Sequence, residues 1–138
     1  MPSIDEIKKF LSDECAQEIM DIASFGGITY WAIEPTAEER RNFPRDKRWI
    51  IVEGFDDSFT GEERSVDGVH FLNEDDLRGA YAKLLDLDQE YVGREYHGYI
   101  VESWMDRTDK YGIETGIIDA GMADAIVQVA IFDEVRYG

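Results

Sequence analysis

Apolar positions recur at helical spacing from the start of the chain: Ile4, Ile7, Phe10 and Leu11, then Ile19, Ile22 and Ala23. Ser3 and Glu6 have capping-box spacing, and Ser12-Asp13 offers a second N-cap. The pattern therefore predicts a short helix followed by a longer one. Gly26-Gly27 supplies a stop, because glycine enters the left-handed region without steric cost. Residues 28–33 are β-branched and aromatic and read as a strand, followed by strands over 49–53 and 66–72 and a short closing strand over 135–137. Residues 34–47 form a loop with two prolines, Pro35 and Pro44, and residues 54–65 an acidic loop.

Asn73 with Asp76 resembles a cap, and Leu77, Ala80, Tyr81, Leu84 and Leu85 make the apolar stripe of the helix behind it. Asp119 caps a last helix whose core face is Met122, Ala123, Ile126, Val127 and Ala130. Residues 88–118 are ambiguous: Tyr99, Ile100, Ser103 and Trp104 suit a helix or a strand. Helices and strands segregate, so the expected class is α+β. One domain over residues 1–138 is expected, with a largely antiparallel sheet of about four strands packed with N-terminal, central and C-terminal helices.

Composition supports a folded domain, with 43% hydrophobic and 12% aromatic residues in 138. The aromatic load of three Trp, seven Tyr and seven Phe exceeds what one small core hides, so self-association is expected. Light scattering should report a species heavier than 15.9 kDa at high micromolar concentration, and a monomer mass there would remove the idea.

Charge narrows the partners. Thirty-one acidic residues against 14 basic ones give a net charge of −17. Such a surface repels nucleic acid and anionic membrane and attracts basic partners. No direct nucleic-acid or membrane partner is expected. The charge serves solubility, or it imitates a nucleic-acid backbone. The single cysteine, Cys15, excludes an internal disulfide and a thiolate zinc cage, and reads as a small buried residue. The first residues lack a basic stretch followed by an apolar one, so no signal peptide is expected.

Catalytic motifs are absent from the sequence. Asp56, Ser58, Thr60, Gly61, Glu62 and Asp67 fall at calcium-loop positions, but two hydroxyls and a short final carboxylate replace the strong ligands. The loop reads as a hairpin, and no metal or other cofactor is expected. His70 fits a strand face and His97 a turn before Gly98. There is no nucleophile elbow and no phosphate-cradling glycine loop. A non-enzymatic protein is expected, with an unrecognised hydrolase as the remaining catalytic alternative.

The segment from Arg40 to Trp49 stands out against this background. It holds five of the 14 basic residues, Arg40, Arg41, Arg45, Lys47 and Arg48, with Phe43 and Trp49. Arginine grips phosphate through paired hydrogen bonds and an aromatic ring stacks on a base, so the segment suits a small anionic ligand. The competing reading is a solvated loop that balances nearby carboxylates.

Two stretches resemble a family of small bacteriophage and prophage proteins: GGITYWA over residues 26–32, and ADAIVQ from Ala123 with Phe132, Glu134, Tyr137 and Gly138. The resemblance implies action in the cytoplasm of an infected bacterium, where small phage proteins bind and disable host components. Asp124 and Gln128, one helical turn apart, belong to the shared pattern as a site or as a buried polar contact to backbone. The expected function is a counter-defence protein that sequesters a nucleotide-type immune signal, with Arg40, Arg41, Arg45, Arg48, Tyr30 and Trp31 as contacts. The alternative is an acidic inhibitor or DNA mimic that occupies a basic host surface through the 53–63 loop, Asp86, Asp88 and Glu90.

Overall fold

The computed structural model describes residues 2–56 and 63–138. Ser58, Thr60, Gly61 and Glu62 of the calcium-like loop lie outside the described residues. The described elements are α1 (Ile4–Phe10), α2 (Asp13–Ile22), a π-helical turn (Ala23–Gly27), β1 (Ala32–Ile33), α3 (Ala37–Arg41), β2 (Trp49–Phe55) and β3 (Ser65–Leu72). They continue as α4 (Glu74–Leu85), α5 (Arg94–Met105), a 3-10 turn (Thr115–Ile117) and α6 (Ala120–Phe132). The chain is α+β, a small single domain with an antiparallel three-stranded sheet in the order β1-β2-β3. No helix among the described residues is long and apolar enough to cross a membrane.

Local signals set most helix starts. Ser3 and Glu6 close a capping box on α1, Ser12 caps α2, Asn73 and Asp76 close a box on α4, and the Asp119 carboxylate accepts the Met122 N–H. Each cap satisfies donors that the first turn leaves unpaired. Helix α6 is buried from Met122 to Val129, all round rather than along a stripe, and so forms the centre of the fold. Around it lie Ile19 and Met20 of α2, Leu77, Tyr81 and Leu84 of α4, and Ile100 and Trp104 of α5. The buried Arg78 ties α4 to the α1–α2 junction. Its Nε donates to the Leu11 carbonyl at 2.7 Å, and its guanidinium meets Asp75 and Asp13, each at 2.7 Å.

Five expectations are corrected, the first being the loop over 34–47, which carries α3. The sheet has three strands among the described residues, and residues 135–138 adopt no strand. The first strand shrinks to Ala32–Ile33, because Tyr30 and Trp31 turn their side chains onto α6. The helical run does end at Gly27, but through a π turn, and neither Gly26 nor Gly27 takes the left-handed conformation expected of the stop. A Cβ at Gly27 would meet the Ala120 carbonyl oxygen at 2.5 Å, so this glycine lets the turn sit against the start of α6. His97 lies inside α5 rather than in a turn.

The two faces of the sheet have different covers. Trp49 and Ile51 of β2 pack with the helical core, together with His70 and Leu72 opposite them on β3. Ile50 and Val52 point the other way, with Phe71 and Val69 as partners. The connection that carries α3 crosses this second face. Phe43 meets Phe71 at 5.2 Å between ring centres, and the Arg64 guanidinium pairs with Glu39 and holds that carboxyl down at about 2.

Candidate functional site

The polar residues of α6 organise the end of the chain. The Asp124 carboxylate accepts the Trp31 indole N–H at 2.8 Å, the Tyr30 hydroxyl at 2.6 Å and the Gln128 amide at 2.9 Å. Gln128 grips the Tyr137 backbone from both sides, accepting its N–H at 2.8 Å and donating to its carbonyl at 3.1 Å. The Trp31 and Tyr137 rings stack at 5.4 Å. Burial and the neighbouring Asp124 carboxylate push the Tyr30 hydroxyl up to about 12. Residues 26–32 and the C-terminal stretch from Ala123 therefore meet in space, and Asp124 and Gln128 make a buried polar contact to backbone and aromatic groups. Trp31 is 3% exposed and offers no open face to a ligand.

The network continues across the sheet. The Tyr137 hydroxyl donates to Glu53, whose other carboxylate oxygen meets His70 Nε2 at 3.1 Å, and Arg136 stands 3.5 Å from the same carboxylate. Glu53 is 4% exposed, so it is not part of an open acidic loop. Burial pushes its carboxyl up, but the Tyr137 hydroxyl and the His70 ring outweigh burial and leave it below its ordinary value of 4.5. A depressed folded value adds stability that is present above pH 4.5 and lost as pH falls through the folded value. Glu53→Gln should cost about 1–3 kcal/mol at neutral pH. The gap to wild type should narrow as pH drops below 4.5, as read by urea denaturation at several pH values. A gap constant with pH would show that the carboxylate charge does not matter. Sequence reading counted Glu53 among the carboxylates of the 53–63 loop and missed its buried role. Its only signal was an acidic residue in phase with Trp49 and Ile51, on the buried face of the strand.

The basic segment lies elsewhere. A cleft of about 360 Å³ runs along the β1 edge of β2, and Arg40, Arg48, Phe43 and Trp49 are among the residues that line it. Its apolar lining includes Met20, Ile28, Ile33 and Ile50, and Glu34 adds one carboxylate to the rim. Arg40 has no ion-pair partner among the described residues. Arg48 approaches Glu74 only to 3.8 Å and lies 6.0 Å over the Trp49 ring. Arg41 is exposed and does not line the cleft. Arg45 borders a second hollow that Arg48 also lines, with Lys8, Lys47 and Arg78 set among Asp13, Asp46, Glu74 and Asp75. Of the eight candidate residues, the structure thus brings Arg40 and Arg48 together and adds Phe43 and Trp49. Tyr30, Trp31, Asp124 and Gln128 form the other cluster, and Arg41 and Arg45 belong to neither.

Asp86, Asp88 and Glu90 border a hollow of about 620 Å³ shared with Asp133, Glu134 and Lys83. Lys83 pairs with Asp133 at 2.9 Å, so part of this charge is neutralised. Among the described residues no three His, Cys, Asp or Glu side chains are placed to hold a metal ion. No family model, curated protein or solved structure matches the chain.

Proposed function

We propose that the protein is a non-enzymatic binding protein that sequesters a small anionic ligand of nucleotide type in the cleft beside β2. The observation that carries this reading is that Arg40 and Arg48 line the same concavity as Phe43 and Trp49, about 360 Å³ in volume and within the size range of ligand sites. Guanidinium groups take phosphate oxygens in pairs, and the aromatic and aliphatic lining suits a flat ring. In an acidic protein, Arg40, which has no ion-pair partner among the described residues, and Arg48, whose contact with Glu74 is long at 3.8 Å, are the groups best placed to take an anion. The biological setting, phage counter-defence in the cytoplasm of an infected bacterium, rests on the resemblance of the two end motifs.

The second reading, an acidic inhibitor of a basic host protein, draws support from the net charge of −17. Its carboxylates Asp86, Asp88 and Glu90 border a hollow around Lys83 rather than a protruding ridge, which suits a groove-filling mimic poorly. Calorimetric titration of the wild-type protein with mono-, di- and cyclic nucleotides tests the first reading. Saturable binding of one nucleotide per chain supports it. A protein that binds no nucleotide but holds a basic host protein would overturn it in favour of the second.

A further inference from the structure

Strand β1 is only two residues long, and its register explains why. Ala32 pairs with Glu53 and Ile33 with Val52, so two residues further along Pro35 would stand opposite Ile50. Proline has no N–H to give to a ladder. Residues 34–36 accordingly adopt no strand, and the edge of β2 opens there.

The direction of the Ile50 backbone follows from alternation. The Gly54 N–H donates to the Trp31 carbonyl at 3.0 Å, on the β1 side. Alternate residues of a strand face the same neighbour, so Val52 and Ile50 turn their N–H and C=O groups to that side as well. Ile33 stands opposite Val52, but no strand residue stands opposite Ile50. Ile50 and Pro35 both line the cleft that holds Arg40 and Arg48.

We infer that the open edge of β2 reads a nucleobase: the Ile50 N–H and C=O bond one acceptor and one donor on the rim of the base, while Arg40 and Arg48 take its phosphate. This inference rests on the reading of the cleft as a nucleotide site and names the part of the ligand that makes it selective. The open ladder is one residue long, too short to seat a peptide strand, which needs several main-chain bonds in register. It matches the adjacent donor and acceptor that every nucleobase carries on its pairing edge. Glu34 fits the same occupant. A rim carboxylate repels a bare anion, but it accepts hydrogen bonds from the hydroxyls of a ribose.

The test uses the full chain and defined probes: the four ribonucleoside 5′-monophosphates, ribose 5-phosphate and inorganic pyrophosphate, titrated by calorimetry and by amide-resolved NMR. At least one monophosphate should bind on the order of a hundredfold more tightly than ribose 5-phosphate, from two hydrogen bonds and one stacked ring. The Ile50 amide should shift downfield with that nucleotide and stay in place with ribose 5-phosphate. If the sugar phosphate and pyrophosphate bind as well as every nucleotide, the base contact is wrong while the anion cleft stands. Base-dependent binding that leaves the Ile50 amide unmoved would overturn the strand-edge contact. Failure of all six probes would overturn this inference, and failure of the di- and cyclic nucleotides as well would overturn the cleft reading itself.

Discussion

Asp124→Ala should lower stability by about 3 kcal/mol or more, the largest loss expected from any single polar side chain of this protein. Asp124 is the acceptor for three donors, and two of them, the Trp31 indole N–H and the Gln128 amide, are buried with it. Alanine leaves the buried Trp31 N–H without the acceptor it has in Asp124. It also frees Gln128, which fixes the backbone of Tyr137 and, through the Tyr137 hydroxyl, the buried Glu53. A loss of that size corresponds to roughly 10 °C in melting temperature for a domain of this length. Asp124→Asn should cost distinctly less. Its carbonyl can still accept from Trp31 and Gln128, while the Tyr30 hydroxyl keeps its 3.1 Å bond to the Tyr137 carbonyl. Nucleotide affinity of the asparagine variant should equal that of wild type, because the network lies apart from the arginine cleft. Equal stability of the alanine variant and wild type in urea denaturation would contradict this account. Lost affinity in a stably folded asparagine variant would instead make Asp124 part of the site.

What the sequence revealed and what it concealed divide along the range of the interactions. Capping is local, so Ser3 with Glu6, Ser12, Asn73 with Asp76 and Asp119 all announced their helices within a few residues. Residues 28–31 misled because their β-branched and aromatic character serves a distant purpose. Tyr30 and Trp31 are shaped for Asp124, more than ninety positions along the chain, not for a neighbouring strand. The tail misled in the same way: its backbone hydrogen bonds go to the side chain of Gln128 instead of to a ladder. Helix α5 has Gly93 at its N-cap, with no side chain to cap with, and it carries Gly98 inside, so Tyr99, Ile100, Ser103 and Trp104 alone left helix and strand open.

The basic segment shows the limit most directly. Its composition was plain, but which arginines share a concavity depends on α3. That helix lies inside what reads as a loop, and its capping box of Thr36 and Glu39 went unread. Successive helical residues point about 100° apart, since 3.6 residues make a turn, so Arg40 and Arg41 cannot face the same cleft. Arg40 lines it and Arg41 does not. Pro35 contributes a feature that no charge count would show, because it ends β1 and leaves the edge of β2 open where Arg48 and Trp49 begin.

This division of the arginines makes the last prediction selective. Replacing Arg40 and Arg48 together with alanine should weaken nucleotide binding by well over a hundredfold, since each charge-assisted contact to a phosphate is worth about 1.5–3 kcal/mol. Replacing Arg41 and Arg45 in the same way should leave affinity nearly unchanged, apart from a slower approach of the anion at low salt. Neither change should disturb the fold much, because all four side chains are exposed and exposed charges contribute little to stability. Calorimetry with the ribonucleoside monophosphate that wild type binds, alongside urea denaturation of each variant, measures both effects. Equal losses from the two pairs would mean that diffuse positive charge, not a built cleft, holds the ligand. No loss from the Arg40 and Arg48 pair would remove the cleft from the account. If binding of a basic host protein instead tightens when those two arginines go, the acidic surface is the working one, because the change removes positive charge from the contact.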